Sequence, residues 1–237
     1  MAEGAVSSAN IVGYVTYTTT AGKMDIHGAP FVNISDNQYN IQNIQLGATA
    51  DMYGSDKLMI FNAATQKYTI YSWYSATYSE DFQTVYGPGW GNESWVRQDV
   101  SIDPGQVFWL QTVNDVSVTV PGAVIAANQN TTTTIGGKMD IFTGVFPVGL
   151  NIQDISLSGN ADLYGSDKLM VFNAETQKYS IYSWYSTTYS EDFLTSYGSG
   201  WGNESWVRQD ITLDIGQGFW LQTVGDCNVT FQAPEGL

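Results

Sequence analysis

The amino-acid sequence predicts an all-β fold made of two tandem, homologous β-sandwich (or small barrel) domains from an internal duplication. Two observations carry this prediction. A long segment occurs twice along the chain, and within each copy short runs of alternating polar and apolar residues are separated by Gly, Asn and Ser. No window has the 3.6-residue apolar period of a capped helix, so helices are not expected.

The repeat has a fixed offset over most of its length. Residues 51–112 match residues 162–223 at an offset of 111, and 49 of the 62 aligned positions are identical. Residues 22–26 recur as residues 137–141 at an offset of 115. A chain of this length accommodates two small domains, and we place them at residues 1–122 and 123–237.

Each copy is predicted to consist of short strands. In the first copy they cover residues 10–18, 40–46, 57–62, 67–74, 95–103, 106–112 and 116–120. Residues 63–66 form the four-residue connection of a hairpin. Asp103, Pro104 and Gly105 form a turn, because Pro fixes φ at the second position and Gly accepts a positive φ. Seven or eight strands in about 110 residues are typical of a sandwich or a small barrel.

The composition excludes several classes of protein. The chain has 237 residues, with 8 Lys and Arg against 23 Asp and Glu, and a formal net charge of −15. That acidity argues against binding nucleic acid through its phosphates. The single Cys227 and single His27 cannot supply a disulfide framework, a His/Cys zinc site or a serine triad in each copy. We expect Cys227 to be a small buried residue on a strand and His27 to lie in a loop.

The sequence also bears on location. No stretch approaches the ~20 apolar residues of a membrane-spanning helix, so no transmembrane segment is expected. The first residues lack the basic and apolar regions of a signal peptide. Because Ser, Thr, Asn, Gln and Gly supply most of the polar residues, we expect a secreted or cell-surface protein from which a leader has been removed.

Three segments resemble a known type of domain. They are the opening at residues 9–15, the hairpin at residues 61–71, and the turn and strand Asp103-Pro104-Gly105-Gln106-Val107-Phe108-Trp109-Leu110. These segments are similar to units of uncharacterised secreted or surface β-rich repeat domains of bacteria. The resemblance implies a surface or secreted β-domain and transfers no catalytic residue. The second copy departs from the unit at Ile215, which replaces the turn proline.

The long segment after the hairpin is the candidate ligand site. Residues 74–94, repeated as 185–205, combine aromatic rings, which stack on sugars, with carboxylates and amides, which hydrogen-bond sugar hydroxyls. This combination indicates a non-catalytic carbohydrate-binding module. The predicted ligand-binding residues are Tyr78, Glu80, Asp81, Trp90, Asn92 and Glu93, with their counterparts Tyr189, Glu191, Asp192, Trp201, Asn203 and Glu204. The alternative is that Trp90 and Trp95 plug the end of the core.

Calcium is a second interpretation of the acidic residues. Asp51, Ser55 and Asp56 are oxygen donors of the kind that Ca²⁺ accepts, and so are the carboxylates of the loop. No EF-hand or Asp-rich nonapeptide spacing is present, so this expectation rests on the type of ligand alone.

Two further functions use the same loop differently. Paired carboxylates there would serve a glycan-processing enzyme, in which their separation decides the reaction. In a structural repeat of a bacterial surface or extracellular assembly, the aromatic residues would belong to the core. Arg97 is expected either to stack on Trp95 or to form a surface ion pair with Asp99.

Overall fold

A computed structural model describes residues 12–32, 39–126, 128 and 130–234. The protein is all-β: of the described residues, 51% lie in strands or β-bridges and 3% in helices. Its sheets are all antiparallel, and none of those in the described residues closes on itself. The fold class predicted from the alternation of polar and apolar residues is confirmed as an all-β, sandwich-like arrangement of open sheets.

Ten strands lie in the first half of the chain. They are β1 (Val12–Thr18), β2 (Met24–Gly28), β3 (Tyr39–Asn40), β4 (Gln45–Leu46), β5 (Tyr53–Asn62), β6 (Lys67–Tyr74), β7 (Gly89–Gly91), β8 (Ser101–Ile102), β9 (Val107–Gln111) and β10 (Ser117–Ala123). They form a five-stranded sheet in the order β2-β9-β5-β6-β7, a three-stranded sheet β1-β10-β4 and a two-stranded sheet β3-β8. These counts refer to the part of the chain that the structure describes.

The second half follows the same plan. Its described strands are β11 (Thr131–Thr133), β12 (Met139–Thr143), β13 (Leu150–Asn151), β14 (Ile155–Gly159), β15 (Tyr164–Asn173), β16 (Lys178–Tyr185), β17 (Gly200–Gly202), β18 (Thr212–Leu213), β19 (Gly218–Gln222) and β20 (Cys227–Phe231). Their sheets run β12-β19-β15-β16-β17, β11-β20-β14 and β13-β18. Corresponding strands therefore occupy corresponding places in the two halves.

Each half has a hydrophobic core between its five-stranded sheet and its smaller sheets. In the first half, Leu58 and Phe108 of the five-stranded sheet pack with Val118 of the three-stranded sheet and Ile102 of the two-stranded sheet. Along β5 buried and exposed residues alternate, because successive side chains of a strand point to opposite faces. Cys227 lies buried on β20, as predicted for a small apolar side chain.

The predicted hairpin is confirmed, and two predicted strands are wrong in their extent. β5 and β6 pair up to Asn62 and Lys67, which leaves residues 63–66 as the connection. Residues 40–46 are interrupted by a 3₁₀ turn at Ile41–Asn43, because the Asn40 side chain accepts a hydrogen bond from the Gln42 backbone N–H. Of residues 95–103, only Ser101–Ile102 forms a strand.

His27 was expected in a loop, and that prediction is also wrong. It lies within β2, opposite Phe108 of β9, and it is 9% exposed. A single histidine gives no alternating pattern from which its place in a strand could be predicted. The Tyr17 ring of β1 stacks on the His27 imidazole, and Gln217 of the second half forms a β-bridge with this residue.

A third hydrophobic cluster joins the two halves, and we call it the seam. Its buried residues are Ile26, Phe61, Val107, Trp109, Ile141, Phe172 and Trp220. They lie on the faces of the two five-stranded sheets that point away from the cores, since the neighbours of Trp109 along β9 belong to the first core. The five-stranded sheets are therefore buried on both faces at this place.

Hydrogen bonds across the seam are reciprocal. Lys23 Nζ donates to the Glu175 carbonyl at 2.9 Å, and the aligned Lys138 Nζ donates to the Ala64 carbonyl. Exchange of equivalent contacts between the two sides is the property of a twofold interface. The seam thus relates the halves by an approximate twofold axis.

Candidate functional site

The segment after β6 is folded on itself by its own backbone. We call residues 75–98 loop site 1 and the aligned residues 186–209 loop site 2. In loop site 1, Thr77 N–H donates to Gly87 O at 3.1 Å and Tyr86 N–H donates to Thr77 O at 2.8 Å. Ser79 N–H donates to Thr84 O at 3.0 Å. The conformation of loop site 1 is therefore held by its own backbone hydrogen bonds.

Tyr78 connects the two arms of loop site 1. Its backbone N–H donates to Trp95 O at 3.0 Å, and its carbonyl accepts from Arg97 N–H at 2.8 Å. The centroid of its ring lies 5.9 Å from that of Phe82. Tyr189 makes the same ring contact with Phe193 at 5.8 Å, so the half-buried tyrosine fixes the position of an exposed phenylalanine in both halves.

Trp90 and Trp201 belong to the cores. Each is 0% exposed. The Trp90 indole N–H donates to Ile44 O at 3.0 Å, and its ring meets Trp73 edge-on at 5.1 Å. Because an indole without exposed surface cannot stack on a ligand, we leave these two residues out of the ligand-contacting set. They lie on β7 and β17, directly opposite a core tryptophan of the neighbouring strand.

The exposed indoles of the loop sites are Trp95 and Trp206. Each is 53% exposed and has φ of +64°. The centroid of the Trp95 ring lies 5.9 Å from that of the Tyr74 ring, so the two side chains pack against each other. Trp95 was not among the residues predicted to bind a ligand. A signal was available in the turn, because an asparagine three residues before a tryptophan can hold the chain in a tight reversal.

Asn92 supplies that reversal. Its Oδ1 accepts hydrogen bonds from Ser94 N–H at 2.9 Å and from Val96 N–H at 3.1 Å, and its carbonyl accepts from Trp95 N–H at 2.9 Å. Asn203 makes the same bonds in loop site 2. The predicted amide ligand is therefore a brace that holds Trp95 outward.

Phe82 and Phe193 repeat this arrangement at the other arm. Both are 54% exposed with φ of +57° and +56°. The preceding Asp81 accepts hydrogen bonds from the Ser79 hydroxyl at 2.5 Å and from Gln83 N–H at 3.1 Å, and these bonds hold the pKa of Asp81 below its ordinary value. Asp192 has the same role.

The remaining predicted ligands are exposed carboxylates. Glu80 and Glu93 lie on the surface of loop site 1, as do Glu191 and Glu204 on that of loop site 2. They flank the braced aspartate and the exposed tryptophan along the chain. Of the twelve predicted residues, these four glutamates have exposed side chains that do not brace the loop. Tyr78 and Tyr189 keep part of their rings accessible while they position Phe82 and Phe193.

Arg97 pairs with an acid rather than with Trp95. Its Nε donates to Asp99 at 3.2 Å, and its guanidinium lies over the Tyr86 ring at 5.3 Å. Arg208 repeats both contacts. Such exposed pairs contribute at most about 1 kcal/mol, so they orient the loop surface more than they stabilise the fold.

The acids considered for calcium are engaged with the backbone. Asp56 is buried, and its two carboxylate oxygens accept from Asp51 N–H at 2.7 Å and Val113 N–H at 2.8 Å. Burial raises the pKa of Asp56, while the hydrogen bond from Ser55 N–H lowers the pKa of Asp51. Among the described residues, no three His, Cys, Asp or Glu side chains are grouped so that they could hold a metal ion.

Within the described ranges, no helix has the length and apolar character needed to cross a membrane. Comparison with protein-family models, with curated proteins and with solved structures gives no match to this chain.

Proposed function

We propose that this protein is a non-catalytic, secreted or cell-surface module that binds carbohydrate through loop sites 1 and 2. One observation carries the proposal. In both halves a braced turn holds a half-exposed tryptophan, Trp95 or Trp206, at a positive φ that bulky residues rarely adopt. Such backbone strain costs about 1–3 kcal/mol and is concentrated at functional sites.

The chemistry of the surface fits a sugar. The exposed face of Trp95 offers a surface for the C–H groups of a pyranose ring. Glu93, two residues away, and Glu80 on the other arm supply acceptors for hydroxyl hydrogen bonds. Because the loop is preformed by its backbone hydrogen bonds, little ordering entropy would oppose binding.

The matched halves support a bivalent module. We infer that residues 1–122 and 123–237 derive from a tandem duplication, since 49 of 62 aligned residues are identical. Two sites held in one molecule can raise the apparent affinity for a multivalent ligand by ~10²–10⁴ if both engage it. Duplication of a single site is then advantageous without any new contact.

The burial of Trp90 favours a second candidate. A structural repeat of a bacterial surface or extracellular assembly would use its aromatic residues as core, as Trp90 and Trp201 do. This candidate gives no role to the strained, exposed Trp95 and Trp206. We therefore place it second.

The test is a glycan array and affinity electrophoresis on polysaccharides, each with calcium and with chelator. We expect the double variant Trp95→Ala/Trp206→Ala to lose retention while its Tm changes little, because both side chains are half-exposed. The matched control is Tyr14→Ala, which removes an exposed aromatic ring outside the loop sites and should leave retention unchanged.

Two outcomes would count against the proposal. Unchanged retention in the double variant would exclude the two indoles as the ligand surface. A fall in Tm of the size expected for Trp90→Ala, a core truncation worth about 3–5 kcal/mol, would assign Trp95 to the fold instead.

A further inference from the structure

Two equivalent clefts lie beside the seam. The His27 cleft has a volume of about 440 Å³ and combines residues of β1 and β2 with the second-half hairpin. The Phe142 cleft has a volume of about 460 Å³ and combines β11 and β12 with the first-half hairpin. Both volumes lie in the range of small-molecule sites, about 300–1,000 Å³. Residues that line the His27 cleft can therefore be compared with the aligned residues of the Phe142 cleft.

The clefts differ at aligned positions. The His27 cleft is lined by Tyr17, His27 and Glu175, where the Phe142 cleft has Thr132, Phe142 and Ala64. Both clefts keep an aspartate on the first strand of a five-stranded sheet and one at a turn. These are Asp25 and Asp214 in the His27 cleft, and Asp140 and Asp103 in the other. The first cleft therefore gains an imidazole, a phenol ring and a third carboxylate.

The imidazole of His27 is fixed in place. Its Nε2 lies 2.8 Å from Asp25 Oδ2, and its ring stacks on Tyr17 with centroids 3.5 Å apart and planes inclined by 16°. When Nε2 carries the ring proton, Asp25 Oδ2 accepts it, and Nδ1 of that tautomer is left as a hydrogen-bond acceptor. The pair gives the cleft a rigid wall with hydrogen-bond acceptors.

A buried polar group lies behind this wall. The hydroxyl of Tyr17, and that of Tyr39 in the first core, are buried and have no hydrogen-bond partner among the residues that the structure describes. The second half has Thr132 and Leu150 at these positions, so it avoids both unpaired groups. A buried unpaired hydroxyl is unfavourable and uncommon in native proteins. The two halves therefore differ in buried polar groups as well as in the residues that line their clefts.

We propose that the His27 cleft binds a small organic cation bearing N–H donors, such as a primary ammonium or guanidinium group. Glu175 and Asp214 would accept its hydrogen bonds together with His27 Nδ1, and the Tyr17 and Tyr182 rings would contact its apolar part. The proposal is independent of carbohydrate binding, since no residue of loop site 1 or loop site 2 lines this cleft.

The single histidine gives an unambiguous reporter. We would titrate the protein with n-butylammonium and follow the imidazole signal of His27 by ¹H–¹³C NMR, with tetramethylammonium as a cation that lacks N–H donors. A saturable shift with n-butylammonium, at least about fivefold weaker with tetramethylammonium, is expected. No saturable shift, or equal responses to the two cations, would overturn the proposal.

Variants assign the effect to the cleft. Glu175→Ala installs the residue of the Phe142 cleft, keeps the backbone carbonyl that Lys23 binds, and should weaken n-butylammonium binding about threefold to fivefold. Asp154→Asn removes the same charge outside the cleft, installing the aligned residue of the first half, and should leave binding unchanged. Equal weakening by both variants would instead assign the shift to general charge attraction.

The reciprocal variant tests for gain of binding. Ala64→Glu, Thr132→Tyr and Phe142→His together transfer the polar wall to the Phe142 cleft, and a second histidine signal should then respond to n-butylammonium. If this variant folds and its new signal does not respond, these three residues are insufficient and the assignment of the ligand contacts fails.

Discussion

Trp90 and Trp95 are five positions apart and have opposite environments. Trp90 follows a glycine on β7, where strand pairing turns its ring onto Trp73 in the core. The Asn92 turn then reverses the chain, so Trp95 points outward. Both residues look alike in the sequence, because each is a tryptophan among small and polar neighbours. The pairing of β6 with β7 and the Asn92 turn together distinguish them.

The buried carboxyl of Asp140 should make the stability of the protein depend on pH. Burial raises the pKa of this carboxyl to about 6, against the usual 3.8. In the folded protein Asp140 therefore binds a proton between about pH 4 and 6 that the unfolded chain has released. The free energy of unfolding should fall as pH rises through this window, by roughly 1–2 kcal/mol after allowance for solvent screening.

The difference between the wild type and Asp140→Asn isolates this contribution. Urea denaturation from pH 4 to 7 should show the variant gaining stability relative to the wild type as pH rises. Other acids with lowered pKa, such as Asp51, act in the opposite direction but cancel in the difference. A difference independent of pH would show that Asp140 is not protonated in the folded state.

Among the secondary-structure elements, local sequence signals correctly predicted the hairpin and the Pro-Gly turn. They predicted strands wrongly where an asparagine side chain hydrogen-bonds the backbone and prevents strand pairing. The alternation of residues 57–62 and 67–74 is confirmed in β5 and β6. Residues 95–103 alternate as well, yet Trp95 begins the segment at a positive φ. An alternating pattern indicates which residues could face a core. It does not indicate whether a partner strand is present to form a sheet.

The Asp103 turn provides a test at this scale. Gly105 has φ of +79°, and a Cβ added there would lie 2.9 Å from Val145 Cγ1 of the second half. Gly105→Ala should lower the free energy of unfolding by about 2–3 kcal/mol, because it adds a clash to the left-handed penalty.

Gly22 is the matched control. It has φ of +71° and no atom within 4 Å of an added Cβ. Gly22→Ala should therefore cost only the conformational penalty, about 1 kcal/mol. Denaturation of both variants in guanidinium measures the difference, and equal losses would mean that Val145 moves aside without cost.

At the scale of the whole molecule, the seam makes the two halves one structure. Phe61 lies 4.8 Å from Trp220, and the aligned Phe172 lies 5.0 Å from Trp109, both edge-on. Gly28 meets its own counterpart, Thr143, where a Cβ on the glycine would lie 2.1 Å from the threonine Cγ2. Near a twofold axis aligned residues meet each other, and here there is room for only one side chain.

We expect this seam to couple unfolding. The wild type should unfold in one calorimetric transition, since the seam buries large apolar side chains of both five-stranded sheets between the halves. Phe61→Ala and Phe172→Ala should each cost about 3–4 kcal/mol, and the double variant should separate the transition into two. Two transitions in the wild type would show that the halves are energetically independent.

The all-β class, the repeat, the hairpin and the segment that contains the candidate site could be predicted from residue patterns, because they depend on local alternation, turn residues and self-similarity. The three-dimensional packing was needed to show which tryptophan of that segment is exposed, that His27 is buried beside Asp25, and that the two halves share a seam. The burial of Trp90 and the seam depend on contacts between residues distant along the chain, such as Trp90 with Ile44 and Phe61 with Trp220, which no local pattern encodes. The outward position of Trp95 additionally needs the local Asn92 turn.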